Sequence, residues 1–179
     1  MTGSQSALIA RVPEAESAVS DLRLEFDPSA KLGVPAHVTI LYPFLPPQEI
    51  SAKVLQVLAE IAASAGAFEF KLRECRSFPD ALYLAPEPAE PFASLTRRVV
   101  DRFPEYPPYG GAYDGAIPHL TVAMLPLPEQ TGVRSRLLAK MQSTTIDAIC
   151  SEMVLIENST GLWRPMHAFR LGIPRAAGI

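Results

Sequence analysis

Apolar and polar positions alternate along this chain in two rhythms. Short runs at 7–10, 68–75, 81–85 and 146–156 are apolar throughout or change character every second residue, as half-buried strands do. Longer stretches near 14–26 and 91–103 read as helices. Two more follow the 3.6-residue period, through Ile50, Val54, Val57 or Leu58 and Ile61, then through Val133, Leu137 and Met141. A final alternating run, 167–173, ends the chain. Read in order, the pattern predicts a βαβαβ unit used twice, with one extra strand. Helices interleaved with strands place the chain in the α/β or α+β class.

The repetition extends to residue identity. The segment from His37 through Val38, Thr39, Ile40 and Leu41 to Gln48 aligns without gaps on His119, Leu120, Thr121, Val122 and Ala123 through Gln130. His, Thr, Leu, Pro and Gln recur at matching places, and each copy sits between a helical stretch before it and another after it. Internal duplication predicts two lobes, about 1–78 and 79–179, within one domain. Duplicated lobes packed about a pseudo-two-fold axis would bring the two segments to face each other across a central cleft.

On a strand, residues i and i+2 share a face. His37 and Thr39 therefore stand side by side, with Val38 and Ile40 turned into a core, and His119 with Thr121 repeats the arrangement. Two imidazoles and two hydroxyls on facing surfaces suit a phosphodiester. Histidine, with an unperturbed pKa of about 6.5, serves as base when neutral and as acid when protonated. A threonine hydroxyl can donate to a non-bridging phosphate oxygen as charge builds there. Taken singly, each His reads more readily as a satisfied core residue and each Thr as an ordinary strand former. The duplication argues for chemistry.

These paired segments resemble the HxTx signatures of the two-histidine phosphoesterase superfamily, which includes 2′-5′ RNA ligase-like proteins and cyclic nucleotide phosphodiesterases. The resemblance covers most of the chain. It implies a bilobal α+β fold of duplicated βαβαβ units around a central cleft. It also implies an enzyme that needs no metal or other cofactor. Such an enzyme hydrolyses 2′,3′-cyclic or 1″,2″-cyclic phosphates, or reversibly joins RNA ends by 2′-5′ ligation. Under it His37 and His119 are the acid–base pair and Thr39 and Thr121 the phosphate ligands, with the assignment of base and acid open. A non-catalytic module holding an RNA end or nucleotide in the same cleft is the alternative.

Composition narrows the partner. With 16 Lys and Arg against 19 Asp and Glu, the formal net charge is −3, and no dense basic stripe is present of the kind that grips long nucleic acid. The expected ligand is an RNA end, a short oligonucleotide or a nucleotide-derived small molecule, bound by a monomer. No apolar run approaches the ~20 residues of a membrane helix, and the first residues carry no export signal, so the expected location is the cytoplasm. Cys75 and Cys150 lie in apolar stretches without metal-ligand spacing and read as reduced core residues. The 18 prolines cluster between apolar runs as stiff connectors.

Further substrate contacts are expected from Tyr42 and Trp163, which could stack a base, and from His167. Tyr113 is a weaker candidate. A zinc site built on His37, His119 and His167 is the competing use of the third histidine. Arg134, Arg136 and Lys140 read as a solvated helix face rather than a phosphate clamp. The Pro- and Gly-rich loop 105–115, just before the second motif, is either a lid or a plain connector.

Overall fold

The computed structural model describes residues 3–112, 116–142 and 144–173. The first half runs β1 (Ser6–Arg11), α1 (Glu16–Phe26), a short α2 (Pro28–Lys31), β2 (His37–Leu41), α3 (Ala52–Ser64) and β3 (Phe68–Phe78). The second runs β4 (Ala81–Glu87), α4 (Glu90–Arg102), β5 (Leu120–Ala123), α5 (Leu127–Met141) and β6 (Ile146–Cys150), followed by β7 (Glu152–Glu157) and β8 (Arg164–Arg170). The βαβαβ order is present twice, in an α+β fold. Two strands, not one, follow it, because the 146–156 run breaks at Ser151 and its halves join different sheets.

Each sheet has four antiparallel strands. One has the order β2-β1-β7-β8 and the other β5-β4-β3-β6, so each motif strand lies at an edge of its sheet. The halves of the sequence and the sheets do not coincide. β3 ends the first half yet pairs with β4, and β7 and β8 return to β1. Only Pro79 and Asp80 separate β3 from β4, a connection that suits an antiparallel hairpin. A boundary between 78 and 79 therefore cuts through the second sheet.

The helices interlock the sheets. α1 packs on β5 and α5, while α4 packs on β2. Thr96 Oγ1 of α4 donates to the Ile40 carbonyl of β2 at 2.8 Å, and Met124 N beyond β5 donates to the Phe26 carbonyl of α1 at 2.9 Å. α3 starts at Ser51, whose Oγ accepts from Val54 N, and buries Leu58 and Ile61. α5 buries Val133, Leu137 and Met141 at the expected period. One core, containing Leu8, Val38, Ile40, Leu84, Phe92, Leu120 and Val122, runs through both sheets. The motif residues are thus carried on strands whose opposite faces are locked in a shared interior.

Of the basic residues of α5, Arg136 and Lys140 lie on the exposed face as expected, and Arg134 differs. Arg134 is half-buried and donates to the Cys75 carbonyl and, at 2.8 Å, to Ser77 Oγ. Arg136 pairs with Glu25 at 2.8 Å, and Lys140 with Asp21 at 2.6 Å. Tertiary packing, invisible to helical periodicity, makes Arg134 a tie between α5 and β3. Both cysteines are free; burial of Cys150 pushes its thiol up to about 12. Among the described residues no helix is long and apolar enough to cross a membrane.

Candidate active site

Strand alternation decides which side chains reach the cleft. On β2, Val38 and Ile40 are fully buried while His37 and Thr39 are half-buried on the other face. β5 repeats this, with Leu120 and Val122 inside, Thr121 half-buried, and His119 one residue before the strand. All four polar side chains line one cavity of about 410 Å³. β2 and β5 are in contact, so the two motifs meet across the edges of their sheets.

Both imidazoles are held alike. His37 Nδ1 lies 2.8 Å from the Pro35 carbonyl oxygen, and His119 Nδ1 lies 2.7 Å from that of Ile117. A carbonyl only accepts, so Nδ1 carries the hydrogen and Nε2 is left for the cavity. The surroundings otherwise differ. The His119 ring centroid is 5.1 Å from that of Phe78 and 5.5 Å from that of Tyr83, two rings stacked at 4.3 Å. His37 lies near a buried ion pair, Arg23–Asp27 at 2.9 Å. Arg23 also donates to the Val34 carbonyl at 3.1 Å, and Asp27 Oδ1 accepts from Ser29 N and Oγ at 2.9 and 2.8 Å.

Burial disfavours the charged imidazolium at both positions. It lowers His37 to about 4, with the Arg23 guanidinium acting in the same direction and the Pro35 carbonyl opposing. It also lowers His119, against the hydrogen bond to Ile117. Both rings therefore carry no charge at neutral pH.

Tyr42 and Trp163 line the same cavity, with ring centroids 6.2 Å apart at 68°. Tyr42 Oη donates to Gln5 Oε1 at 3.0 Å. Trp163 N donates to the Leu32 carbonyl at 2.8 Å, beside Gly33. Gly33 has φ +95°, and a Cβ there would come within 3.2 Å of the Trp163 carbonyl oxygen, so glycine permits the close approach. His167 is not brought to the cavity. It lies exposed on edge strand β8, its ring 4.6 Å from that of Phe169, because its register sets it beside Leu155 rather than beside the cleft residues. The three-histidine zinc site is thereby not assembled. Among the described residues no cluster of three or more His, Cys, Asp or Glu has the arrangement to hold a metal ion.

Several lining residues escaped the sequence reading: Asp27, Ser29, Val34, Tyr109, Met124 and Ile156. Tyr109 belongs to the loop already singled out. Its backbone N donates to the Tyr42 carbonyl at 2.6 Å, so this part of the loop is pinned to the first motif. Tyr113 and the rest of 113–115 lie outside the described residues. Ala7, Ile9 and Ile156 come from strands apolar on both faces, which was the one available signal that the second face is covered by something other than the core.

Comparison with known proteins bears on the fold and the family. The fold is similar to that of Escherichia coli LigT complexed with NADP⁺, with TM-score 0.59, 15% identity, and coverage of 96% of this chain and 99% of that one. It is also similar to TT0787 of Thermus thermophilus, with TM-score 0.61, 17% identity, and coverage of 96% and 100%. No curated protein sequence matches. The profile of the 2′-5′ RNA ligase superfamily matches residues 12–162. The duplicated motif, the shared cleft and that match place the chain in the 2′-5′ RNA ligase superfamily of two-histidine phosphoesterases.

Proposed function

We propose that the protein is a metal-independent phosphodiesterase acting on 2′,3′-cyclic or related phosphodiesters of nucleotides or RNA ends. The observation that carries this reading is the meeting of His37, Thr39, His119 and Thr121 in one cavity, each histidine presenting Nε2. An imidazole pair with two hydroxyls supplies base, acid and phosphate donors from the chain itself. E. coli LigT, whose fold is similar, is seen complexed with 3′-AMP, and a mononucleotide suits a cavity of this size.

In the proposed reaction the phosphate lies between the imidazoles, its non-bridging oxygens accepting from Thr39 and Thr121. Water attacks phosphorus as its proton passes to His37 Nε2, and the departing ribose oxygen takes a proton from His119 Nε2. One P–O bond forms and one breaks, and the histidines end in exchanged protonation states. His37 takes the base role because its neutral form is the more favoured, with burial and Arg23 acting together. With the 5′-hydroxyl of a second RNA end attacking in place of water, P–O5′ forms, P–O3′ breaks, and the same proton transfers make a 2′-5′ bond.

The test is hydrolysis of 2′,3′-cyclic nucleotides in EDTA by the wild type, His37→Ala and His119→Ala. Turnover by the wild type alone supports the proposal. Binding without turnover would instead make the cleft a receptor for RNA ends or nucleotides, and loss of activity in EDTA would remove the metal-independent mechanism.

A further inference from the structure

One wall of the cleft is aliphatic. In the first sheet, Ile9 lies opposite Thr39 on one side and opposite Val154 on the other, and Ala7 lies opposite Ile156. Moving from the first motif across this sheet, the cleft face is therefore aliphatic. Ala7, Ile9, Val34, Val154 and Ile156 form a small apolar cluster of their own, separate from the main core, with Tyr42 and Trp163 packed on it. Beside the second motif, Thr121 lies opposite Tyr83 and Tyr83 opposite Arg76, but neither of these lines the cavity, and Arg76 is paired with Glu74.

Charge is scarce at the cavity. Its described lining holds one carboxylate, Asp27, already bound to Arg23, and neither lysine nor arginine. Arg11, across from His37 on β1, is held by Glu152 and does not line the cavity. In the reactive state one histidine is protonated, which supplies a single positive charge. One phosphodiester anion matches it. A second phosphate would meet an aliphatic wall with no counter-charge, and a desolvated charge without a partner is costly.

We propose that this cavity selects phosphodiesters bearing a single negative charge, seats an uncharged substituent on the wall formed by Ala7, Ile9, Ile156 and Trp163, and discriminates against ligands with a second phosphate. The selectivity rests on the phosphodiesterase reading of the same site. It separates simple nucleoside cyclic phosphates from multiply charged compounds such as ADP-ribose cyclic phosphate.

Trp163 is the sole tryptophan of the chain, so its fluorescence reports occupancy directly. Stopped-flow quenching of the wild type, read before turnover, would compare adenosine 2′,3′-cyclic phosphate with its 5′-phosphorylated form and with ADP-ribose 1″,2″-cyclic phosphate. The singly charged probe is expected to bind tighter by about tenfold or more, the scale of leaving one charged group without its partner. Ile9→Lys, which places a cation on the wall, is expected to narrow or reverse that gap. Equal or tighter binding of the multiply charged probes by the wild type overturns the inference, as does an absence of quenching by all three. Selective binding without hydrolysis leaves the charge selectivity standing and removes the phosphodiesterase reading instead.

Discussion

His37 and His119 are fastened by the same bond: each Nδ1 meets the carbonyl oxygen two residues upstream, at 2.8 Å on Pro35 and 2.7 Å on Ile117. The duplication thus repeats the tautomer along with the residue, and both rings offer Nε2 to the cavity. In the second motif Pro118 stands between the accepting Ile117 carbonyl and His119, where its fixed φ stiffens the link; in the first, Ala36 stands there and proline supplies the acceptor itself.

From that arrangement, His37→Ala and His119→Ala should each reduce kcat by about 10²- to 10⁴-fold, the worth of a general acid or base. The double variant should be little worse than either single one, because the pair acts as a unit. Steady-state rates on a 2′,3′-cyclic nucleotide decide it; near-wild-type rates in both single variants would remove the site assignment.

Thr39→Ala and Thr121→Ala should each cost up to about 10²- to 10³-fold in kcat, as for one donor to a developing oxyanion. Serine at either place keeps the hydroxyl and should recover most of the loss. A defect confined to KM would show that the hydroxyls bind ground state and transition state equally.

The pH dependence follows from burial of both imidazoles. In the free protein the base must be neutral, which requires pH above about 4 for His37. The acid must be protonated, which requires pH below the lowered value of His119. The maximum of kcat/KM should therefore lie between about 4 and the ordinary histidine value of about 6.5. A bound phosphate anion favours imidazolium, so the kcat profile should extend to higher pH than that of kcat/KM. A kcat/KM maximum well above neutrality would contradict this.

Stability carries the same signature. Unfolded His37 binds its proton up to about 6.5, whereas the folded residue binds it only below about 4. Between those values the unfolded state holds more protons, so stability rises with pH through the window and is lost as pH falls through it. The acid-side decline in Tm should be shallower in His37→Gln than in the wild type.

Arg23 is 2% exposed and joins Asp27, Ser29 and the Val34 carbonyl. Arg23→Met leaves Asp27 buried without its partner and should destabilise by about 3–5 kcal/mol. Adding Asp27→Leu should restore only part, because Ser29 N then loses the acceptor that caps α2. Urea denaturation of the single and double variants measures both effects, and full recovery in the double would show that the cap contributes nothing.

Much of this protein was legible in its residues alone. The helix and strand rhythms, the βαβαβ order used twice, and the face shared by His37 with Thr39 and by His119 with Thr121 all follow from local periodicity, which each segment carries within itself. Four matters were decided only by the tertiary structure. The strand β3 joined the second sheet through its hairpin to β4, since pairing partners are a property of chain path rather than of pattern. His167 fell beside Leu155 on an edge strand, away from the cavity, because its register against β7 sets its place. Arg23, a helix residue that nothing in the sequence marks out, came to lie beside His37, and Ile9 and Ile156 became a cleft wall. Distant segments converge there, and local sequence does not encode which apolar face meets a core and which meets a ligand.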